Sequence, residues 1–388
     1  MNPQDDSREL ELDPPAVYGK VPAHMFEPLN TERIKDEVFQ TQPISFFQDA
    51  LQRFVKSGVS VAAFWIILVV ILLAIFAPNF NNYGFNDQDI NRINMPPRIQ
   101  GLENLGVADG SYLLENRRLD MIDDPEMYPE GCILELRNLR TVFGVETADI
   151  LVNYYIYSGA EDEYFWFGTD YLGRDLFTRM FRGARVSLFI AIVSVAANII
   201  IGVVYGAIAG YFGGTIDLIM MRICEILNSI PFIVVMILFI MAFGTGILSI
   251  ILAFVVRGWI GNAMLIRAQF YRFKSREYVL AARTMGVPDM TLIFRHILPN
   301  CLGPLITSAM MAIPSTIFFE SFLAYIGLGL QAPEPSIGVM LSQGQRVLLH
   351  YPYQTLFPAV LISVLVIAFN LISNGLRDAL DPTRRGVV

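Results

Sequence analysis

The sequence predicts an all-α polytopic membrane protein with six transmembrane helices and a small extracytoplasmic insert of mixed or β-rich fold. Of its 388 residues, 54% are hydrophobic and only 16% are charged, whereas a soluble domain carries about 25% charged residues. The mean hydropathy is +0.48. Its apolar segments are long enough to cross the roughly 30 Å of hydrocarbon in a bilayer.

The cysteines, the N-terminal segment and the missing motifs exclude several classes of protein. Cys132, Cys224 and Cys301 are too few for a disulfide framework, so we expect no bridge. The first 40 residues contain no apolar core of a cleavable signal peptide. The sequence has no phosphate-binding P-loop and no cluster of metal ligands. We therefore expect no enzyme activity, no bound cofactor, no metal and no nucleic acid in this chain.

The N-terminal part of the chain predicts a tail and then a helix at the membrane surface. Residues 1–43 are polar and acidic, which is typical of a poorly ordered cytoplasmic tail. Residues 44–57 predict an amphipathic interfacial helix, because Phe47, Leu51 and Phe54 share one side of it. The alternative is a solvated helix that packs on protein.

The first transmembrane helix is expected at residues 58–77, which form an apolar run of sufficient length. Arg53 and Lys56 precede this run and acidic residues follow it. Because positively charged residues favour the cytoplasmic side, the N-terminus is expected in the cytoplasm.

Residues 78–165 predict the extracytoplasmic insert. Between 81 and 163 there are 16 acidic residues, 6 arginines and no lysine, a net charge of −10. Cys132–Arg137 and Ile150–Ser158 have the composition of strands. The acidic outer surface of the insert either docks another protein or is a variable decoration without a binding role.

Residues 166–377 predict a core of five further transmembrane helices. They are expected at about 186–209, 216–243, 247–266, 302–328 and 356–372. Ahead of the first, Asp170 is predicted as the helix N-cap, with Asp175 early in the helix. Gly210–Gly214 predicts a tight turn. Six spans place both termini in the cytoplasm, including the tail at 378–388.

The most polar of the connections in this core is the loop 268–299. Residues 267–296 have a net charge of +4, which indicates the cytoplasmic side. The pattern predicts two short helices, with Gly286 just past the end of the first and Pro288 in the first turn of the second. Ala281 and Ala282 leave a thin outer surface that the backbone of another protein can approach.

Two charged residues lie inside predicted spans, where a charge facing lipid costs a few kcal/mol. Arg257 and Glu320 are expected at similar depth, so they either pair with each other or line a transport pathway. Gly202, Gly206 and Gly261 are expected to let helices pack closely rather than to bind a ligand.

Two motifs resemble those of ABC-importer permeases, specifically the C-type subunit of the oligopeptide/dipeptide family. The first is the EAA loop of such permeases, whose small-residue pair, glycine and Leu-Pro positions are occupied here by Ala281, Ala282, Gly286, Leu298 and Pro299. The Glu position of that signature holds Leu280, and Glu277 lies three residues earlier. The second motif is GTDxLGRDxFxRxxxGAR, which begins at Gly168.

The resemblance covers about residues 44–77 and 165–385 and leaves the insert uncovered. It implies a MetI-like fold of type I importers in the bacterial cell membrane, and a second, homologous permease that completes the pathway. It also implies two ATPase subunits that bind ATP and magnesium, and an external peptide-binding protein. In that family the loop is the coupling helix that docks on an ATPase subunit. The coupling residues it implies here are Glu277, Ala281, Ala282, Arg283, Gly286, His296 and Pro299.

Three alternatives remain at this stage. In the first, the loop helix is an ordinary amphipathic helix on the membrane surface and docks on no partner. In the second, a permease of the same architecture carries nickel chelates, glutathione or sugars. The third is an ion-coupled secondary carrier, which needs ion sites within the membrane and usually an internal repeat of spans.

Overall fold

The computed structural model describes residues 46–103, 106 and 108–380, and most of these are helical. The predicted tail at 1–43 and the tail from residue 381 onward lie outside the described residues. The helices are α1 Phe46–Lys56, α2 Gly58–Phe76, α3 Tyr154–Tyr157, α4 Leu176–Phe212, α5 Gly214–Ser229, α6 Phe232–Phe243, α7 Ile247–Phe273, α8 Glu277–Thr284, α9 Asp289–Thr291, α10 Leu298–Tyr325, α11 Ile337–Gln345 and α12 Tyr353–Leu380. The strands are β1 Ser111–Arg118, β2 Ile133–Val142 and β3 Val145–Asn153.

Within the described residues, five helical segments are long and apolar enough to cross a membrane. They are Gly58–Asn79, Leu176–Phe212, Ile247–Phe273, Asp289–Tyr325 and Tyr353–Leu380. The remaining predicted span is a bent pair, α5 and α6, whose axes differ by 81°. Counting that pair as one span gives the six that the sequence predicts.

The break between α5 and α6 corrects the expectation of one continuous helix over 216–243. Pro231 lacks an N–H group, and the residue before a proline is disfavoured in the helical region. Ile230 accordingly has an extended backbone, with ψ of 125°. The helix therefore stops at Ser229 and restarts at Phe232 in a new direction.

The main apolar core joins α2, α4, α10 and α12. Its buried side chains include Ile67, Phe181, Ile317 and Leu365. On α1, Ala50 and Phe54 pack against Ala379 and Leu380 of α12, so part of the predicted apolar side of α1 faces protein. Leu51 and Val55 stay exposed.

Glycines allow α4 and α7 to approach closely. A Cβ at Gly206 would lie 2.3 Å from the carbonyl oxygen of Ala263, and one at Gly202 would lie 2.8 Å from that of Trp259. Both predictions of close packing are confirmed. The same prediction for Gly261 is wrong, because a Cβ there would have no neighbour within 4 Å.

The insert folds around a three-stranded antiparallel sheet in the order β1-β3-β2. Phe143 and Gly144 both take positive φ, 51° and 80°, which a two-residue turn between β2 and β3 needs. Asp149 on the central strand accepts hydrogen bonds from the backbone N–H of Asn116 on β1 and the side-chain amide of Asn138 on β2. One carboxylate thus binds both neighbouring strands at the positions where their pairing with β3 shifts register.

The predicted strand Ile150–Ser158 is only partly correct. The strand ends at Asn153, whose side-chain oxygen accepts hydrogen bonds from the N–H groups of Tyr155 and Ile156 and so starts the short helix α3. The other predicted strand, Cys132–Arg137, lies largely within β2. No strand was predicted at β1.

The segment before α4 also differs from its prediction, because Asp175 is the N-cap of α4. The Asp175 carboxylate accepts a hydrogen bond from the Thr178 N–H at 2.9 Å. Gly173 has φ of 73°, which interrupts any helix starting at Asp170. Asp170 instead accepts from the Arg174 side chain at 2.8 Å, and both are buried.

These contacts fix the two ends of the helical bundle. We call the end where α4 and α12 begin the insert end, because Gln354 of α12 donates hydrogen bonds there to Asn94 at 2.8 Å and to the Thr169 carbonyl at 3.1 Å. We call the opposite end, where α4 and α7 finish and α8 lies, the loop end.

Candidate functional site

The helix α8 at the loop end has well-defined ends, as the sequence predicts. Gly286 takes φ of 79° just past its C-terminus. The Val287 N–H donates to the Ala282 carbonyl at 3.2 Å and the Gly286 N–H donates to the Arg283 carbonyl at 3.0 Å. This pair of bonds is the Schellman ending, which satisfies helix carbonyls that otherwise lack donors. Pro288 lies just before α9 rather than within its first turn.

One face of α8 is anchored in the bundle. Val279 is fully buried against Phe270, Leu292 and Ile297, which belong to α7 and to the segment after α9. Ala282 is half-buried against the same cluster. The prediction that Ala282 belongs to the outer surface is therefore wrong, since its helical spacing from Val279 turns it inward.

The opposite face of α8 is open and partly apolar. Ala281 is exposed, as expected, and so are Glu277 and Arg283. Met285, just past the end of α8, is 84% exposed, and Met290 on α9 is 61% exposed. Methionine side chains adapt to varied partners and are common on binding surfaces. We call this exposed face, with Ala281 and Met285 at its centre, the docking face.

A tyrosine at the end of α4 connects both helices of the loop to the bundle. The Tyr211 hydroxyl donates a hydrogen bond to the Asp289 carboxylate at the start of α9. The guanidinium of Arg283 on α8 lies 5.4 Å from the centroid of the Tyr211 ring. Cations above an aromatic ring are attracted by its electron-rich face. We call Tyr211, Arg283 and Asp289 the tyrosine clasp.

A second set of polar contacts ties the start of α5 to the end of α7. Arg267 donates to both carboxylate oxygens of Asp217 at 2.5 Å, and the Tyr271 hydroxyl donates to the same group at 2.8 Å. Lys274 donates to the Gly210 carbonyl at 3.0 Å. Burial lowers the pKa of the Lys274 ammonium. The turn at Gly213 and Gly214, both with positive φ, is thereby fixed beside the loop.

The second helix of the loop runs into the membrane without a break. A π-helical turn at Leu292–Ile297 leads into α10, so the predicted separate helix is the start of a 37-residue segment. Pro299 cannot donate a backbone hydrogen bond, and a wider turn accommodates the missing bond. His296 is half-buried in this turn, and its carbonyl accepts from Asn300 at 2.8 Å.

A cavity of about 870 Å³ lies among α4, α7 and α10. Polar but uncharged side chains line its middle, including Asn198, Asn262 and Ser308. Ser308 donates to the Asn262 side chain at 3.3 Å. Among the residues that the structure describes, the charged side chains that line it are Arg272 and Arg377, toward the loop end.

The two charged residues predicted inside the membrane do not pair with each other. Arg257 donates to the Asn228 side chain and to the Ile230 carbonyl, each at 3.1 Å, and so supports the break between α5 and α6. Glu320 is buried and accepts from the Ser187 hydroxyl at 2.9 Å. Neither lines the large cavity; Arg257 lines a smaller neighbouring one of about 310 Å³.

Comparison with known proteins gives this architecture a family. The family model for the binding-protein-dependent transport system inner membrane component matches residues 202–386. The model for the N-terminal transmembrane domain of oligopeptide transport permease C matches residues 45–97. The oligopeptide transport system permease protein OppC of Bacillus subtilis is 33% identical over 94% of this chain and 99% of its own length. The chain belongs to the oligopeptide/dipeptide family of ABC-importer permeases.

Other relatives agree with this assignment. The dipeptide transport system permease protein DppC of Bacillus subtilis is 34% identical to the permease, and the match covers 98% of each chain. The glutathione transport system permease protein GsiD of Pectobacterium atrosepticum is 38% identical over 56% of the permease and 72% of its own length. A solved structure of the inward-facing MetNI methionine ABC transporter matches 52% of the permease and 96% of that chain, with 19% identity and a TM-score of 0.44.

The family confirms the sequence-based assignment to C-type permeases and the membrane-spanning class. The permease is a multi-pass membrane subunit, and its relatives are named as permease proteins of transport systems. Sequence reasoning found α8 and its glycine ending, but it missed the tyrosine clasp and the broken span. The break had a signal in the pair Ile230-Pro231, whereas the clasp joins residues 78 positions apart and has no local pattern.

Proposed function

We propose that this permease is a membrane subunit of an ATP-driven importer for short peptides in the bacterial cell membrane. A second, homologous permease completes the pathway, and an external peptide-binding protein delivers the substrate. Two ATPase subunits hold ATP and magnesium, so this chain needs no cofactor of its own. The relatives named for oligopeptides, dipeptides and glutathione support a peptide substrate, since all of these are short amide-linked chains.

Charge supports an orientation with the loop end in the cytoplasm. Residues 267–296 carry a net charge of +4, whereas residues 81–163 of the insert carry −10. Basic residues are retained on the cytoplasmic side of membrane proteins. The insert then lies outside the cell, and both termini lie in the cytoplasm.

The observation that carries the coupling role is the two-sided construction of α8. Val279 on this short helix is buried in the bundle, while Met285, just past its C-terminal end, is 84% exposed. A partner that grips the docking face therefore moves a helix that is anchored to α7 and α10. Glu277, Ala281, Arg283 and Gly286 form or end this exposed helix. Ala282 packs against the bundle, and His296 and Pro299 lie in the segment that continues into α10.

The large cavity supports a pathway that accepts varied side chains. Within the described part of the chain, its middle presents amide and hydroxyl groups between apolar walls and carries no charge that would select one peptide. We propose that Arg257 braces the broken span at the edge of this pathway. We propose that Glu320 is not in the pathway, because Ser187 satisfies one of its oxygens and the side chain is 1% exposed.

Blocking the docking face tests the coupling role. In the Ala281→Trp variant, an indole at the centre of this face should obstruct a partner without entering the core. We expect ATP-dependent uptake of labelled trialanine by the reconstituted complex to fall about tenfold or more, the size of a lost interface anchor. Leu139→Trp on β2 is the matched control, because Leu139 is 67% exposed on the insert.

Gly286→Pro is an independent variant, since proline cannot take φ of 79° or donate to the Arg283 carbonyl. It should uncouple ATP hydrolysis from uptake while the helices remain inserted. Undiminished uptake in both α8 variants would refute the coupling role. Uptake that persists without ATP would instead support an ion-coupled carrier. An ATP-driven complex that takes up nickel chelates or sugars but no peptides would refute only the proposed peptide substrate.

A further inference from the structure

A second cavity, of about 580 Å³, opens at the insert end of the bundle. Its walls come from the end of α10, the segment 327–332, α11 and the residues just after it, and Tyr171 from the approach to α4. We call it the insert-end cavity. It shares no lining residue with the large cavity among α4, α7 and α10.

Arg346 is the one charged residue that lines the insert-end cavity among the residues the structure describes. Within that part of the chain its guanidinium has no hydrogen bond or ion pair, although the insert end is rich in carboxylates. Glu334, in the segment between α10 and α11, is occupied by Arg182 at 3.1 Å. The exposed Arg346 side chain, part of the cavity lining, therefore has its donors free.

The other polar groups around the cavity are neutral and able to donate. They are the side-chain amides of Gln331 and Gln343 and the hydroxyls of Tyr171 and Ser342. Together with one arginine they form a donor-rich, singly positive lining. Such a lining complements a carboxylate, which only accepts hydrogen bonds and matches the planar fork of a guanidinium.

The walls are held in place by specific contacts. The Ser336 hydroxyl accepts from the Val339 N–H at 3.1 Å and caps α11. Gly329 lies so close to α10 that a Cβ there would be 2.5 Å from the Cα of Ala324. These contacts, with the Arg182–Glu334 ion pair, make the cavity a formed feature rather than a gap between loops.

We propose that the insert-end cavity binds the terminal carboxylate of a peptide, with Arg346 as the charged donor and Gln331 and Gln343 as neutral ones. The choice of a peptide rests on the proposed function, whereas the carboxylate is inferred from the lining. The net charge of −10 over residues 81–163 repels a carboxylate, whereas Arg346 places a positive charge on the wall of the cavity. Its volume lies in the range of small-molecule sites.

Binding to the full-length permease in lipid nanodiscs tests this inference without the binding protein. The probes are trialanine and trialanine amide, which differ only in the terminal carboxylate, and saturation-transfer NMR gives their affinities. The wild type should prefer trialanine. Arg346→Gln should weaken trialanine binding about two- to fivefold, the range for an exposed ion pair, and remove the preference. Arg346→Lys should keep part of it.

Arg117→Gln is the matched control, because Arg117 is exposed on β1 and does not line the cavity. It makes the same change in charge and should bind both probes like the wild type. Equal affinities of wild type and Arg346→Gln for trialanine would overturn the inference. An equal loss in Arg117→Gln would also overturn it, since the effect would then come from net charge.

The assembled complex provides the second measurement. The measured quantity is the ratio of trialanine uptake to trialanine amide uptake. Dividing the ratio for the variant by the ratio for the wild type cancels any preference of the binding protein. A selective fall for trialanine in Arg346→Gln is expected. Failure of that variant to assemble with the second permease would instead make Arg346 a subunit contact and overturn the inference. A wild-type complex that imports no peptide would refute the proposed function, while the nanodisc measurement still decides the role of Arg346.

Discussion

Removing a single hydroxyl from the tyrosine clasp should loosen the connection between the loop and the membrane helices, through which the proposed ATPase partner acts. In Tyr211→Phe the ring stays beside Arg283, but the hydrogen bond to the Asp289 carboxylate is lost. Hydrogen bonds to charged groups contribute about 1.5–3 kcal/mol when buried. Asp289 is exposed, so solvent screening reduces this to about 1 kcal/mol.

A change of about 1 kcal/mol alters the ratio of two states about fivefold. We therefore expect Tyr211→Phe to hydrolyse up to about five times more ATP for each trialanine imported. The assay measures ATP hydrolysis and uptake in the same proteoliposomes, with the amount of assembled complex determined separately. A bond of this size is too weak to prevent folding, so the complex should assemble normally.

Tyr205→Phe is a matched control on the same helix. Its hydroxyl donates to the Met220 carbonyl at 2.8 Å and connects α4 to α5 without contacting the loop. Its loss costs a similar amount, about 1 kcal/mol, but should leave the ratio of ATP to peptide unchanged. The reasoning is refuted if Tyr211→Phe keeps the wild-type ratio or if both variants raise it equally.

Three further predictions concern packing, the broken span and pH. Gly206→Ala should lower the thermal unfolding midpoint in detergent, because its Cβ would lie 2.3 Å from the Ala263 carbonyl oxygen and overpacking costs about 1–3 kcal/mol. Gly261→Ala is the control and should keep the wild-type midpoint, because a Cβ there meets open space. Equal midpoints for the two variants would contradict this prediction. Arg257→Gln should reduce the yield of assembled complex, because the hydrogen bonds to Asn228 and Ile230 are lost. Transport per assembled complex should stay near the wild-type value. A variant that assembles normally but transports poorly would place Arg257 in the pathway. The hydrogen bonds from the Asn116 N–H and the Asn138 amide hold the pKa of Asp149 below its usual value. This stabilises the insert above the unfolded pKa of about 3.9, and the stabilisation disappears as the pH falls through the lower folded pKa. Amide hydrogen-exchange rates in β1 and β3, corrected for the intrinsic effect of pH, should rise in acid as the sheet loosens. The Asp149→Asn variant should show a weaker dependence of these rates on pH. Identical pH profiles for wild type and variant would exclude this role of Asp149.

Features that depend on local rules were predictable from the sequence. The ending of α8 at Gly286 follows from the freedom of glycine at positive φ, and the close contact at Gly206 follows from a small residue in an apolar helix. The apolar runs gave the number of spans once α5 and α6 are counted together. The roles of Asp170 and Asp175 were confused because both residues suit a cap, and only the turn at Gly173 decides between them.

Features that join distant segments were not predictable in the same way. The Tyr211–Asp289 bond requires the end of α4 to meet the start of α9, which only the packed bundle establishes. The expectation that Arg257 and Glu320 either pair or line a pathway rested on depth alone, and depth does not say which way a helix face points. Strand β1 escaped notice because its pairing with β3 shifts register between Leu114 and Arg117, so alternation of apolar residues is interrupted.

The length of α4 has a mechanical consequence. Its 37 residues, at 1.5 Å per residue, span about 55 Å, well beyond the roughly 30 Å of hydrocarbon. One uninterrupted rod thus reaches from its N-cap Asp175, whose carboxylate accepts a hydrogen bond from Asn81 of the insert, to Tyr211 beside α8. A tilt of about 10° in such a rod displaces one tip by about 10 Å relative to the other. Small rotations imposed at one membrane surface are thereby magnified at the opposite one, without any relay of intermediate side chains.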